Sequence, residues 1–199
     1  GNPYPSSIDW DLLNETYGAV YYYDGSAYVS WNGSGAGSQY IPPMQGFMIA
    51  PGSAGMLNLD NSHRTHDGAS TYYKSGGDYD KSIVLQAGNE IYSDQLYVNF
   101  SEVAGEEFDL AFDAWKIITE AQEIAQVYSY TGDHKLSIDT RPECEILQLG
   151  FQCGTSDKYT FSVNEMNGIA GATLEDAKTG IMHDLALSDY EFNYIAGEE

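Results

Sequence analysis

The chain has 199 residues, and its 30 acidic and 8 basic side chains give a formal net charge of −22. Nucleic-acid binding depends on clustered Lys and Arg, so this charge excludes DNA and RNA as partners and favours cations. A chain of this length commonly folds around one core, and no apolar run approaches the ~20 residues that cross a bilayer. We therefore expect one domain over residues 1–199 and no membrane insertion.

The composition and the turn signals predict an all-β fold. The chain has 17 Tyr and 21 Gly but few helix-favouring runs, which suits pleated surfaces and tight turns. Near the N-terminus, Ser6 or Ser7 is predicted to cap one short helical turn. An Asp-Gly turn at residues 24–25 then joins two strands, and such a turn between β-rich runs is among the strongest local hairpin signals.

Short alternating strands continue along the chain with turns between them. A flexible loop at 32–38 and a long surface loop at 61–77 interrupt them, and the long loop surrounds a predicted strand at Tyr72 and Tyr73. About a dozen strands at this spacing indicate an antiparallel β-sandwich or jelly-roll-like fold. The other predicted strands cover residues 19–23, 27–31, 45–50, 56–59, 82–87, 94–100, 125–131, 135–139, 145–152, 158–163, 172–175, 181–185 and 190–195.

An acidic and aromatic stretch in the middle of the chain is the first candidate site. Asp109 and Asp113 would share a face of a helix, and in an irregular loop they could converge on one hard cation. One interpretation is therefore a Ca²⁺ site made by Asp109, Asp113 and Glu107 or Glu106. The alternative is that both aspartates cap backbone N–H groups or pair with Lys116. In that alternative, the neighbouring rings anchor the core; these are Phe108, Phe112 and Trp115.

Two further sets of residues carry weaker signals. His63 and His66 have a spacing that can place two imidazoles on one transition metal, with Asp67 adjacent, but a polar loop more often leaves such a pair solvated. Cys144 and Cys153 flank a strand-like segment that would hold them ~30 Å apart if extended, far beyond disulfide reach. Both thiols are therefore predicted to be unpaired.

The aromatic run in the first hairpin is the second candidate site. Strand alternation puts Tyr21 and Tyr23 on one face and Tyr22 on the other, so a hairpin with Tyr28 and Trp31 can present rings to solvent. Such rings stack on the C–H faces of sugars while polar neighbours bind the hydroxyls. The alternative is that the rings fill both faces of a buried strand. A second, weaker patch comprises Tyr72, Tyr73 and Tyr79.

Several segments in a fixed order resemble a known type of region. In that order they are GNPYPSSIDWD, IPPMQGFMI, EEFDLAFDAWKI, LSIDTRPE, LEDAKTGIMHDL and YEFNY. The chain resembles the β-sandwich region that lies upstream of the type IX secretion C-terminal sorting domain in secreted Bacteroidetes proteins. The resemblance implies an all-β fold and a secreted or surface-attached origin, but no activity. It also implies further strands on both sides, so we expect an excerpt of a larger protein whose exposed sheet edge can pair with another chain.

The expected function is a non-catalytic accessory module in adhesion or carbohydrate binding, stabilised by calcium in one version of this hypothesis. The sequence has no nucleophile elbow, zinc-protease motif, P-loop or dinucleotide fingerprint, so we expect no enzyme. One alternative is a structural spacer or interaction domain beside a catalytic region or a sorting signal. Another is a glycoside hydrolase with two acidic carboxylates about 5–10 Å apart.

Overall fold

The computed structural model describes residues 1–24, 27–66 and 79–197, and nearly all of the regular structure in these ranges is β. One short helix, α1 (Asn14–Tyr17), and two 3-10 turns at Trp10–Leu12 and Asn61–His63 are the exceptions among the described residues. The strands are β1 (Ser7–Asp9), β2 (Val20–Tyr23), β3 (Tyr28–Trp31), β4 (Tyr40–Ile41), β5 (Met48–Ile49), β6 (Arg64–Thr65), β7 (Lys81–Gly88), β8 (Ser93–Phe100), β9 (Ala114–Trp115), β10 (Gln126–Thr131), β11 (His134–Arg141), β12 (Leu149–Gln152), β13 (Asp157–Asn167), β14 (Thr173–Asp176), β15 (Ile181–Asp184) and β16 (Tyr190–Tyr194).

The largest sheet has the order β12-β10-β11-β8-β7-β13-β16, with β9 attached to β11. All its pairs are antiparallel except β8 with β11. The sheet curls so that its two edge strands approach each other. The ring centroid of Phe151 on β12 lies 5.1 Å from the centroids of Phe192 and Tyr194 on β16. The predicted all-β class is confirmed, and pairing of an edge with another chain stays a prediction.

The small sheet β3-β2-β5 lies between two cores, and this position controls which of its aromatic side chains reach solvent. On β2, Tyr22 packs with Trp10 and Trp31 in the core shared with the N-terminal sheet β4-β1-β6. Tyr21 packs in the other direction, with Tyr97 and Ile138 of the large sheet. The predicted alternation of β2 is therefore present, and both faces are buried over most of the strand.

The opposite face of the large sheet carries the main apolar core. In β7, Ile83 and Leu85 face this core, whereas Val84 between them faces the small sheet. Leu174 of β14 and Leu185, which follows β15, pack against the same core. The hairpin β14-β15 thus covers part of the curled sheet, giving a layered all-β domain.

Three local predictions differ from the structure. The buried strand predicted over 45–50 is reduced to β5, which is at most half-buried, because the Gln45 carbonyl accepts a bond from the Asn2 N–H at 2.9 Å instead of joining a ladder. Residues 56–59 form no strand, since the Tyr17 hydroxyl accepts a bond from the Asn58 N–H at 3.1 Å. The first helical turn is capped by Asp9 rather than by Ser6 or Ser7.

The predicted strand at Tyr72 and Tyr73 lies outside the described residues, as does Asp67. None of the helices in the described ranges is long and apolar enough to cross a membrane.

Candidate functional site

The aromatic residues at the base of the first hairpin are buried in the core. Trp31 is 4% exposed, and its indole Nε1 donates a hydrogen bond to Asp11 Oδ1 at 2.7 Å. Tyr21 is also buried, and its hydroxyl oxygen accepts a bond from the Trp115 N–H at 2.8 Å. A buried ring cannot stack on a sugar, so Tyr21 and Trp31 agree with the alternative in which the rings fill a buried strand.

The tip of the same hairpin is open to solvent. Tyr23 and Tyr28 are cross-strand partners, and their ring centroids lie 5.3 Å apart. Tyr23 is 54% exposed, whereas Tyr28 is half-buried and supports it from the neighbouring strand. The structure therefore brings together two of the four predicted ligand-binding residues, and we call Tyr23 and Tyr28 the tyrosine pair.

A cleft of about 190 Å³ lies beside the tyrosine pair. Tyr22, Tyr23 and Tyr40 line it, and Asp24 and Gln45 add a carboxylate and an amide. Burial raises the pKa of Tyr22 far above its usual value, so its hydroxyl stays protonated and donates to the Ser38 carbonyl at 2.8 Å. The cleft thus combines aromatic surface with polar groups, which is the chemistry that sugar binding requires.

The acidic turn, residues 109–113, is organised around one buried carboxylate. Asp113 is 2% exposed, and its Oδ2 accepts a bond from the Asp109 N–H at 2.7 Å. Its Oδ1 accepts a bond from the Thr140 N–H at 2.8 Å, which ties the turn to β11. The backbone carbonyl of Asp113 accepts a bond from Asn32 Nδ2 at 2.9 Å. Asp113 therefore links the turn to β11 and to the loop after β3.

Burial raises the pKa of Asp113 to about 7. The two backbone donors from Asp109 and Thr140 oppose this shift, and the nearby carboxylates of Asp139 and Asp109 add to it. A buried carboxylate that is desolvated and close to like charges favours its neutral form. This arrangement agrees with the structural alternative, in which an aspartate caps backbone N–H groups.

The predicted partners of the acidic turn are arranged differently. Lys116 forms its ion pair with Asp94 rather than with either aspartate of the turn. Glu107 is exposed on the preceding segment. Over the described ranges, no group of three or more His, Cys, Asp and Glu side chains is placed to hold a metal ion. Calcium at Asp109, Asp113 and Glu107 stays a prediction.

The aromatic neighbours of the acidic turn form a half-buried cluster. The rings of Phe108 and Trp115 lie 4.3 Å apart, and His134 meets Trp115 edge-on at 4.5 Å. Trp115 and Ile117 also pack against the core under the small sheet. These aromatic residues hold the turn against the start of β11, as the structural alternative expects.

The histidine pair and the two cysteines do not come together as a site in the described residues. His63 belongs to the 3-10 turn at Asn61–His63, and its Nδ1 accepts a bond from the Asp60 N–H at 3.2 Å. His66 is exposed two residues beyond this turn's end cap, Arg64. Cys144 and Cys153 are free thiols, as predicted, and only Cys153 is buried.

A family model described as a domain of unknown function, DUF8693, matches residues 13–199. The chain belongs to the DUF8693 family. Neither the curated proteins nor the solved structures contain a match to this DUF8693 domain. The description of this family assigns no activity to the domain.

Sequence reasoning missed part of the cleft of this DUF8693 domain. Tyr40 reaches it from β4, and Gln45 from the loop between β4 and β5. No local signal marks either as a binding residue, and the sequence pattern places Gln45 in a buried strand. Their positions depend on long-range contacts such as that between Asn2 and Gln45, for which the local sequence carries no signal.

Proposed function

We propose that the DUF8693 domain is a non-catalytic accessory module that binds carbohydrate for a secreted or cell-surface protein. The observation that carries the proposal is the tyrosine pair at the hairpin tip, beside an open cleft. Tyr23 keeps 54% of its surface exposed although the two residues before it are buried. Exposed aromatic rings beside a cleft commonly mark a binding site rather than a packing surface.

The chemistry of the tip suits a sugar ring. The face of Tyr23 offers apolar surface for the C–H groups of a pyranose, and Tyr28 supports that ring at a centroid distance of 5.3 Å. Asp24 and Gln45 in the adjoining cleft supply oxygen and amide groups for sugar hydroxyls. Adhesion to another cell would use the same contacts, with the sugar belonging to a glycan on that cell's surface.

The secreted or surface location is inferred from the sequence resemblance alone. Calcium at Asp109, Asp113 and Glu107 is an additional part of the proposal, and it would act on stability rather than on sugar binding. The turn lies on a separate segment from the hairpin tip, and none of its residues lines the cleft beside the tyrosine pair.

The test is a glycan array followed by titration calorimetry with each glycan that binds. We expect Tyr23→Ala to weaken binding about tenfold or more, since a lost stacking contact of about 1.5 kcal/mol corresponds to that factor. Tyr21→Phe is the matched control on the same strand: it removes a buried hydroxyl but leaves the tip intact. Binding that survives Tyr23→Ala and Tyr28→Ala unchanged would contradict the site.

A structural spacer is the alternative outcome. If no polysaccharide on the array is retained, carbohydrate binding fails and the spacer hypothesis replaces it. A spacer also requires that substitutions of the tyrosine pair change only the stability of the domain.

A further inference from the structure

The cleft beside the tyrosine pair is the first of three that share residues. Asp24, Val29 and Ala36 also line a second cleft of about 380 Å³, which reaches Gln95 on β8 and Asn164 on β13. Ser93 is common to this second cleft and to a third of about 530 Å³. The three clefts are therefore neighbours along the hairpin and the large sheet, and we call them together the groove.

The groove crosses several strands of the large sheet. Its second and third parts are lined by residues of β8, β7, β13 and β16, which are consecutive neighbours in the sheet. Three spacings of about 4.8 Å give roughly 14 Å along this part alone, before the hairpin is included. A depression of this length accommodates a chain of sugars rather than a single ring.

Amide side chains form the floor where the second and third clefts meet. The Tyr97 hydroxyl donates to Gln95 Oε1 at 2.8 Å, and Gln95 Nε2 donates to Gln86 Oε1 at 3.3 Å. Asn164 Nδ2 donates to the same Gln86 oxygen at 2.7 Å. This ladder links β8, β7 and β13, and in either orientation of its amides one nitrogen and one oxygen of the Gln86–Asn164 pair stay outside it.

The ladder leaves polar atoms for a ligand. Within the described part of the chain, Gln86 Nε2 and Asn164 Oδ1 make no hydrogen bond. The other polar atom of each amide, Gln86 Oε1 and Asn164 Nδ2, is engaged in the ladder. One is a donor and the other is an acceptor, and a sugar hydroxyl can serve both. Thr160 and Ser162 add hydroxyl groups on the same side of β13 in the third cleft.

The charges along the groove select among polysaccharides. Glu165 lines the second cleft, and Glu90, Asp157 and Asp189 are among the acids of the third. Asp94 also lines the second cleft, but it is paired with Lys116. The third cleft has one basic residue among its described lining, Lys158, which is paired with Glu191 at 2.6 Å. Like charges repel, so uronic, sialylated and sulfated chains are disfavoured.

We propose that the groove binds an extended, uncharged polysaccharide chain that starts at the tyrosine pair and runs across β8, β7, β13 and β16. This inference rests on the proposed carbohydrate binding and extends it to a length and a charge class. It assigns Gln86 and Asn164 as binding residues.

The experiment is titration calorimetry with uncharged oligosaccharides from disaccharide to hexasaccharide, made from whichever glucan, xylan, mannan or chitin backbone binds on the array. We expect the affinity to rise with each added unit until the groove is filled. Asn164→Ala should weaken the hexasaccharide about five- to tenfold, which corresponds to about 1 kcal/mol for a lost hydrogen bond, and leave the disaccharide unchanged.

The matched control is Asn167→Ala on the same strand. Asn167 contacts Ser82 Oγ at 3.3 Å and lines none of the three clefts. We expect Asn167→Ala to bind the hexasaccharide like the unaltered domain.

The outcomes separate the two proposals. If Tyr23→Ala abolishes binding but affinity is independent of chain length and of Asn164, the tip binds a sugar and the groove proposal is overturned. Stronger binding of an acidic polysaccharide than of the uncharged chains also overturns it. If no carbohydrate binds at all, the proposed function itself fails.

Discussion

The hairpin tip and the acidic turn are both rich in groups that can do chemistry, but they differ in what those groups already contact. In the acidic turn, both carboxylate oxygens of Asp113 accept backbone N–H groups, at 2.7 and 2.8 Å. At the hairpin tip, Tyr23 is 54% exposed, and a cleft lies beside it. Polar and aromatic groups that are satisfied inside the fold hold it together, whereas exposed ones remain available to a ligand.

The same contrast exists within the hairpin itself. Trp31 and Tyr21 are buried at its base and hydrogen-bonded to Asp11 and Trp115. At its tip, Tyr23 is exposed and Tyr28 is half-buried. Residues of one type, a few positions apart, therefore have opposite roles.

Trp31→Ala should lower the free energy of unfolding by about 3–5 kcal/mol, since it removes a large buried ring and leaves a cavity. It also leaves the Asp11 carboxylate without its indole donor. Urea unfolding followed by circular dichroism measures the change. A loss below 1 kcal/mol would mean that the base of the hairpin is not part of the core.

Asp113→Ala should lower the free energy of unfolding by about 2–4 kcal/mol, because the buried Thr140 N–H and the half-buried Asp109 N–H both lose their acceptor. The control is Asp109→Ala. Asp109 Oδ1 accepts a bond from the half-buried Ala111 N–H at 2.9 Å, so the free energy of unfolding should fall by about 1 kcal/mol. Equal losses of stability in the two variants would contradict the view that Asp113 links the turn to β11 whereas Asp109 caps only its own turn. Glycan affinity should be unchanged in both.

The pH dependence of stability tests the raised pKa of Asp113. Its pKa is raised to about 7 in the folded protein from an ordinary value of 3.8, so its neutral form is favoured by folding. The resulting stability is fully present below pH 3.8 and is lost as the pH rises through 7.

Comparison with Asp113→Asn isolates this effect from the repulsion among the other acidic residues. Between pH 4 and 7, the stability of the unaltered domain relative to Asp113→Asn should fall by up to about 1.4 kcal/mol per pH unit. Denaturant melts at several pH values provide the data. A difference that is flat with pH would show that Asp113 titrates normally.

Calcium should have the smallest effect. A site at Asp109, Asp113 and Glu107 predicts a higher melting temperature in Ca²⁺ than in the same concentration of Mg²⁺, and Glu107→Gln should reduce that difference. The comparison with Mg²⁺ controls for general screening of a chain with a net charge of −22. Equal melting temperatures in Ca²⁺, Mg²⁺ and EDTA would reject the site.

Local signals predicted the strands well and their partners poorly. The Asp-Gly turn and the alternating tyrosines predict β2 and β3, and the same kind of pattern predicts β7 with β8. The parallel pairing of β8 with β11 was not predicted, because strand partners far apart in sequence leave no local trace. β13 extends further than predicted, to Asn167, through an irregularity between Val163 and Glu165.

The same limit applies to the candidate sites. The alternation of Tyr21, Tyr22 and Tyr23 follows from strand geometry, but only the contact with Trp115 shows that Tyr21 is buried. The spacing of Asp109 and Asp113 indicated a pair, while the deciding partner of Asp113 is Thr140 on β11. The sequence therefore indicates which side chains can bind a sugar or a cation, but only the three-dimensional structure shows which of them are buried.

The most direct test of the central claim is an NMR map of the backbone amides of the domain titrated with an uncharged hexasaccharide that it binds. We expect the largest shifts at Tyr22, Tyr23 and Tyr28, with smaller ones at Gln86 and Asn164, and none at residues 109–113. Shifts centred on the acidic turn with a silent hairpin tip would contradict the account, because the turn would then be the site and the tyrosine pair part of the scaffold.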